Sequence, residues 1–67
     1  MSVYKVIELV GTSATSWEDA AVTAVQTAKE TLRDLRVATV VEQDLDLSGD
    51  AVVFRTKLSV SFKYLGH

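Results

Sequence analysis

Cysteine and proline are absent from this 67-residue chain, and histidine occurs once. Without cysteine there are no disulfides, thiolate zinc sites, iron–sulfur clusters or cysteine nucleophiles, and a single histidine leaves little for a transition metal. Charge of one sign is also lacking. Seven basic residues stand against nine acidic ones, net −2, with no basic run, so the electropositive footprint of a nucleic-acid partner is missing. No apolar stretch approaches the roughly 18 residues of a membrane span, and no basic leader precedes an apolar block. The expectation is a cytoplasmic protein that engages neither nucleic acid nor membrane.

Residues 1–67 are expected to form a single domain. By surface scaling, the unfolded chain exposes roughly 10,600 Å² and a compact monomer roughly 4,200 Å². Burial then contributes roughly 95 kcal/mol, against roughly 100 kcal/mol of ordering entropy. The near-cancellation calls for stabilisation beyond one chain's core. With disulfides and a structural zinc removed, self-association is the remaining route.

Three glycines punctuate the chain. Val3 to Val10 (VYKVIELV) is rich in β-branched and aromatic residues, a strand that Gly11 is expected to end. Ser16, with Asp19 three residues on, is an N-cap pattern close to a capping box. From Trp17 to Leu35 the apolar positions recur at three and four, predicting a helix whose alanines let a sheet approach closely. From Val37 the period becomes two: Val37, Thr39, Val41, Gln43, Leu45 and Leu47 point one way, Ala38, Val40, Glu42, Asp44 and Asp46 the other. Ser48-Gly49-Asp50 reads as a turn. Beyond it Val52, Phe54, Thr56, Leu58, Val60, Phe62 and Tyr64 alternate with Val53, Arg55, Lys57, Ser59, Ser61 and Lys63.

The order is therefore β-α-β-β, an α+β fold in which a three-stranded antiparallel sheet, last strand in the middle, wraps around one helix. Val52 to Tyr64 would span roughly 43 Å, whereas a compact domain of this length is about 28 Å across. The hairpin must project or curl, leaving apolar positions for another subunit.

VYKVIELVGTS, SWEDAA, TLRDL and VSFKY, in this order and with these loop lengths, resemble the dodecin family across nearly the whole chain. The resemblance implies a sheet wrapped around one helix and a hollow homododecamer that binds or stores a small ligand without catalysis. Better-known dodecins stack flavins (riboflavin or FMN) on a tryptophan at the start of the second strand and hydrogen-bond them through a glutamine on the third. The matching positions here are Val37, which has no π-face, and Arg55, which only donates and carries charge. Bound flavin is therefore doubtful. MSVYKVI, GTS, TSWE, RVA and VEQD are closer to a dodecin subgroup that lacks the stacking tryptophan and is described as calcium-binding. The alternative is a structural or partner-binding shell with no small-molecule ligand.

The residues offer little for catalysis. Ser13 and Ser16 have no base in sequence context, His67 is the last residue, and Glu18 and Asp19 diverge on a helix. Asp44 to Asp50 copies the first half of an EF-hand loop, but Arg55 stands where the closing glutamate belongs. In a strand, Asp44 and Asp46 project from one face about 6 to 7 Å apart, the pair nominated for a weak hard-cation site completed by neighbouring oxygens. A solvated hairpin tip is the plain alternative. Trp17 is expected in core or interface packing. Arg55, Lys57 and Lys63 form a basic row, open to anions unless Glu8, Glu42 or Asp44 pairs with it across the sheet.

Overall fold

Gly11 lies inside the first strand. A computed structural model of the chain describes residues 1–64; Gly66 and His67 lie outside the described residues. In it β1 runs Val3–Ser13, past the glycine expected to end it. A Cβ at Gly11 would run into the Ala20 carbonyl and stand 2.9 Å from the Ala24 Cβ. The glycine thus permits close approach of helix to strand.

The helix α1 spans Trp17–Lys29. Its N-terminus forms as the capping pattern requires: Ser16 is extended, and its hydroxyl accepts from the Asp19 N–H at 2.9 Å. Ser13 Oγ, itself buried, donates to Asp19 Oδ2 at 2.7 Å, fastening the helix start to the end of β1.

The expected extension to Leu35 is wrong: the helix ends six residues earlier. Thr31 and Leu32 N–H groups both donate back to the Ala28 carbonyl, and Asp34 takes a left-handed φ of 59°. Aspartate tolerates that conformation better than most residues. It turns the chain toward the second strand, and its carbonyl accepts from the Lys63 N–H.

Strands β2 (Leu35–Asp46) and β3 (Val53–Tyr64) form the long hairpin. The sheet order is β1-β3-β2 with both pairings antiparallel, as expected. One face of β3 packs under the helix. Leu58, Val60 and Thr56 are fully buried there, against Ala20 and Ala28 of α1, so the small helix residues do allow the close packing. Thr56 satisfies its buried hydroxyl by donating to the Trp17 carbonyl at 2.8 Å.

The alternation read along β2 breaks in the middle. Val40 pairs with Leu58 and Glu42 with Lys57, so Val41 is an extra residue and the side-chain phase flips across it. Consequently Val37 and Thr39 share the outer, helix-free face with Glu42, Asp44 and Asp46, while Ala38, Val40, Gln43 and Leu45 face the helix side. Reading the period straight through had put Val37 and Asp44 on opposite faces. The whole is elongated, 48 × 20 × 16 Å, as the strand lengths require. No helix among the described residues is long and apolar enough to cross a membrane.

Candidate functional site

Antiparallel pairing turns sequence spacing into neighbours, and on the outer face it sorts charge by row. Thr12, Arg55 and Asp44 form one row; Val10, Lys57 and Glu42 the next; then come Glu8, Ser59 and Thr39, then Val6, Ser61 and Val37, and last Tyr4 with Lys63. The end nearest the hairpin tip carries charges of both signs, whereas the far end is apolar and hydroxylated apart from Lys63.

In the first row Arg55 grips Asp44 with both arms. Nε donates to Oδ1 at 2.6 Å and Nη2 to Oδ2 at 2.8 Å, the bidentate fork that suits guanidinium to carboxylate. These bonds hold the Asp44 carboxyl below its ordinary value, and Asp44 in turn keeps Arg55 firmly protonated. In the next row Lys57 leans toward Glu8, 3.6 Å away. Two of the three acids named as pairing partners are thus engaged, and Glu42 has no ion-pair partner among the described residues. Val10, Glu42, Asp44, Arg55 and Lys57 line a shallow hollow of about 190 Å³.

Asp46, one step closer to the tip, accepts from the Ser48 hydroxyl at 2.6 Å and the Ser48 N–H at 2.9 Å. Both bonds favour the carboxylate and lower its pKa. The segment resembling half an EF-hand is therefore a strand end followed by an aspartate-closed turn. Asp44 and Asp46 do project from one face, both ionised. They are two carboxylates where a calcium ion takes six to eight oxygens. Among the described residues no three acidic or imidazole side chains cluster closely enough to hold a metal, so the rest of such a shell must come from carbonyls, water or another subunit.

Trp17 has a role that sequence reading placed only as packing. Its ring meets Phe54 edge to face with centroids 5.1 Å apart, and its indole N–H donates to the Asp44 carbonyl at 2.9 Å. Helix start, central strand and acidic strand end are tied together by this one side chain. No sequence signal marks the indole bond, which spans 27 residues and depends on strand register.

Val37 and Arg55, the positions that the resemblance to dodecins aligned with a flavin site, lie on the same outer face but far apart. Val37 opposes Ser61, six residues along β3 from Arg55, or roughly 20 Å. Val37 is 59% exposed and offers a flat apolar spot without a π-face, and Arg55 already holds Asp44. Within one chain the pair does not fit a flavin ring, and a site using both positions needs two subunits.

The Dodecin family model matches residues 3–65. Over 64 residues the chain is 56% identical to the calcium dodecin of Mycobacterium tuberculosis, covering 94% of this chain and 90% of that protein. The crystal structure of that relative, described as a calcium-chelating antigen with a novel calcium-binding site, superposes with a TM-score of 0.85 at 55% identity, covering 94% and 91% of the two chains. A Thermus thermophilus protein superposes with a TM-score of 0.88 at 34% identity, covering both chains fully. A dodecin from Streptomyces coelicolor gives 0.89 at 28% identity over 98% and 96%. On the family match, the identity and the shared fold together, the chain belongs to the dodecin family.

Proposed function

We propose that this dodecin is a non-enzymatic, cytoplasmic ligand-binding protein, that it works as a hollow homododecamer, and that the ligand it sequesters is calcium rather than flavin. The observation that carries the ligand choice is the outer face of β2. The flavin positions hold Val37 and an Arg55 already engaged by Asp44, whereas Asp44 and Asp46 present two ionised carboxylates side by side. Hard cations take oxygen ligands of this kind. The 56% identical relative is itself named a calcium dodecin. When bound, calcium would link strand ends of neighbouring subunits by drawing on carboxylates and carbonyls from each.

Assembly is supported by surface area. The chain exposes 5033 Å², about 800 Å² more than a compact monomer of its mass, which is close to one partner's share of a standard interface. Val22 and Val40, each about half exposed, flank a groove of about 370 Å³ between α1 and β2, the kind of apolar flank a neighbouring copy covers.

With two carboxylates and no closing glutamate, affinity belongs in the range of about 10⁻⁴ to 10⁻³ M. Calorimetry on chelator-treated protein reads it. Asp44→Asn with Asp46→Asn should abolish uptake and leave the oligomer intact; undiminished uptake by that variant would place the site elsewhere. A second reading, a structural or partner-binding shell, is favoured by one observation: Asp44 is already neutralised by Arg55. Equilibrium dialysis at millimolar free calcium separates the two, because a site of this affinity empties during purification, whereas a shell without a small-molecule task takes up no stoichiometric ion even then.

A further inference from the structure

Charge is sorted along the 48 Å length of the chain. Residues 42–52, the far part of β2 and the turn beyond it, carry Glu42, Asp44, Asp46 and Asp50 and no lysine or arginine. Arg55 neutralises Asp44 and Ser48 occupies Asp46, whereas Asp50 stands exposed at the turn with no ion-pair partner among the described residues. The opposite end is basic. The bond from the Lys63 N–H to the Asp34 carbonyl draws the turn before β2 against the end of β3, and the β1 register sets Lys5 opposite Phe62. Lys5, Arg33, Arg36 and Lys63 therefore gather there, against Glu30 and Asp34, and none of the four is ion-paired among the described residues.

Each end also carries apolar surface that its own chain leaves open. Hairpin turns are ordinarily built from small polar residues, yet Leu47 and Val52 flank this one, 70% and 46% exposed. They lie past the helix start, which is tied by the Trp17 indole to the Asp44 carbonyl. At the basic end Tyr4, Lys5 and Tyr64 line a hollow of about 270 Å³, with both rings half exposed. Tyrosine is enriched in interface cores because its ring offers rigid apolar area beside a polar tip, and a hollow walled by two such rings suits a branched aliphatic side chain.

We propose that the hairpin tip of one copy docks on the basic end of the next, with Leu47 seated in the hollow between Tyr4 and Tyr64 and Asp50 facing Lys5 and Arg36. The inference rests on the proposed self-assembly and names the surfaces that meet. A second copy is the occupant because one chain carries both halves of the match. Tip against tip sets acid against acid, and end against end sets base against base, whereas tip against end pairs opposite signs. The contact is heterologous, and heterologous contacts that close form rings, so every tip in a closed particle is covered.

Native mass spectrometry over a concentration series, on chelator-treated protein, tests it by charge exchange. Asp50→Lys with Ala51→Lys reverses the tip, Lys5→Glu with Arg36→Glu reverses the other end, and the four together reverse both. All four positions are exposed, so each chain should keep the far-ultraviolet circular dichroism of the parent; Asp50→Lys alone and Arg33→Glu with Lys63→Glu replace any variant that does not. Each reversal alone should raise the concentration for half-assembly by about tenfold, and the chain with all four should return toward the parent, because opposite signs again face each other. Leu47→Ser should also weaken assembly, through lost apolar burial. Assembly like the parent's in either single reversal or in Leu47→Ser would overturn the contact. A four-substitution chain that assembles no better than the single reversals would overturn it too, and in each of these cases the assembly itself stands. A parent that remains a single chain at micromolar concentration would overturn assembly and contact together.

Discussion

Arg55 and Val37 carry the proposed preference against flavin, and both were legible in the sequence. What the sequence did not disclose is their distance, because the residue facing Val37 depends on strand register, and Val41 and Arg36 each insert an extra residue into β2. Replacing an aromatic platform with Val37 forfeits stacking of roughly 0.5 to 1.5 kcal/mol per ring contact, so flavin binding should be weak. Val37→Trp with Arg55→Gln is expected to create or strengthen it, measured as riboflavin fluorescence quenching on titration. Submicromolar quenching by the unmodified protein would contradict this. The Asp44 carboxyl is a separate test at the same scale. Its folded pKa is depressed, first by its hydrogen bond with Arg55. The sign follows: the pair's contribution is complete above the ordinary carboxylate value of 3.8 and is lost only as pH falls through the lower folded value. Carboxyl chemical shifts followed by NMR should show Asp44 titrating below an ordinary aspartate, and returning toward the ordinary value in Arg55→Gln.

The elements themselves were largely readable, and the failures have identifiable causes. Helical spacing at Trp17, Ala20, Ala24 and Ala28 and the Ser16 cap located α1, but Leu32 and Leu35 continue the apolar spacing after the helix has ended. No glycine announces the stop: the helix closes on an αR Glu30 with Thr31 and Leu32 bonding back to the Ala28 carbonyl, and the left-handed residue, Asp34, comes four residues later. Gly11 misled in the other direction: read as a strand terminator, it is a contact point between β1 and α1. Gly11→Ala forces its methyl against the Ala20 carbonyl and the Ala24 side chain, and overpacking of this kind costs about 1–3 kcal/mol. Ser16→Ala removes the acceptor for the Asp19 N–H and should cost about 1 kcal/mol. Denaturant midpoints at unchanged slope measure both, with Gly11→Ala expected to be the more damaging; equal stability of Gly11→Ala and the parent would mean the helix can shift off β1 freely.

At the scale of the whole molecule, a strand pair much longer than its helix dictates the shape. The radius of gyration, 13.6 Å, exceeds the roughly 11 Å of a compact domain of this length, and a 13-residue helix covers about 20 Å of a 48 Å body. That mismatch was visible in the sequence as alternation running from Val52 to Tyr64, and it is why a chain without cysteine is expected to find its missing burial in other copies of itself. Which surfaces meet was not legible, because exposed valines on α1 and β2 have the same sequence pattern as core valines. Native mass spectrometry of chelator-treated protein, before and after calcium is added, reads assembly and ligand in one spectrum. The expected result is a twelve-chain particle that takes up calcium to about one ion per subunit and loses that uptake, but not its mass, with Asp44→Asn and Asp46→Asn. A single-chain species at micromolar concentration, or a particle whose mass does not change with calcium, would contradict it.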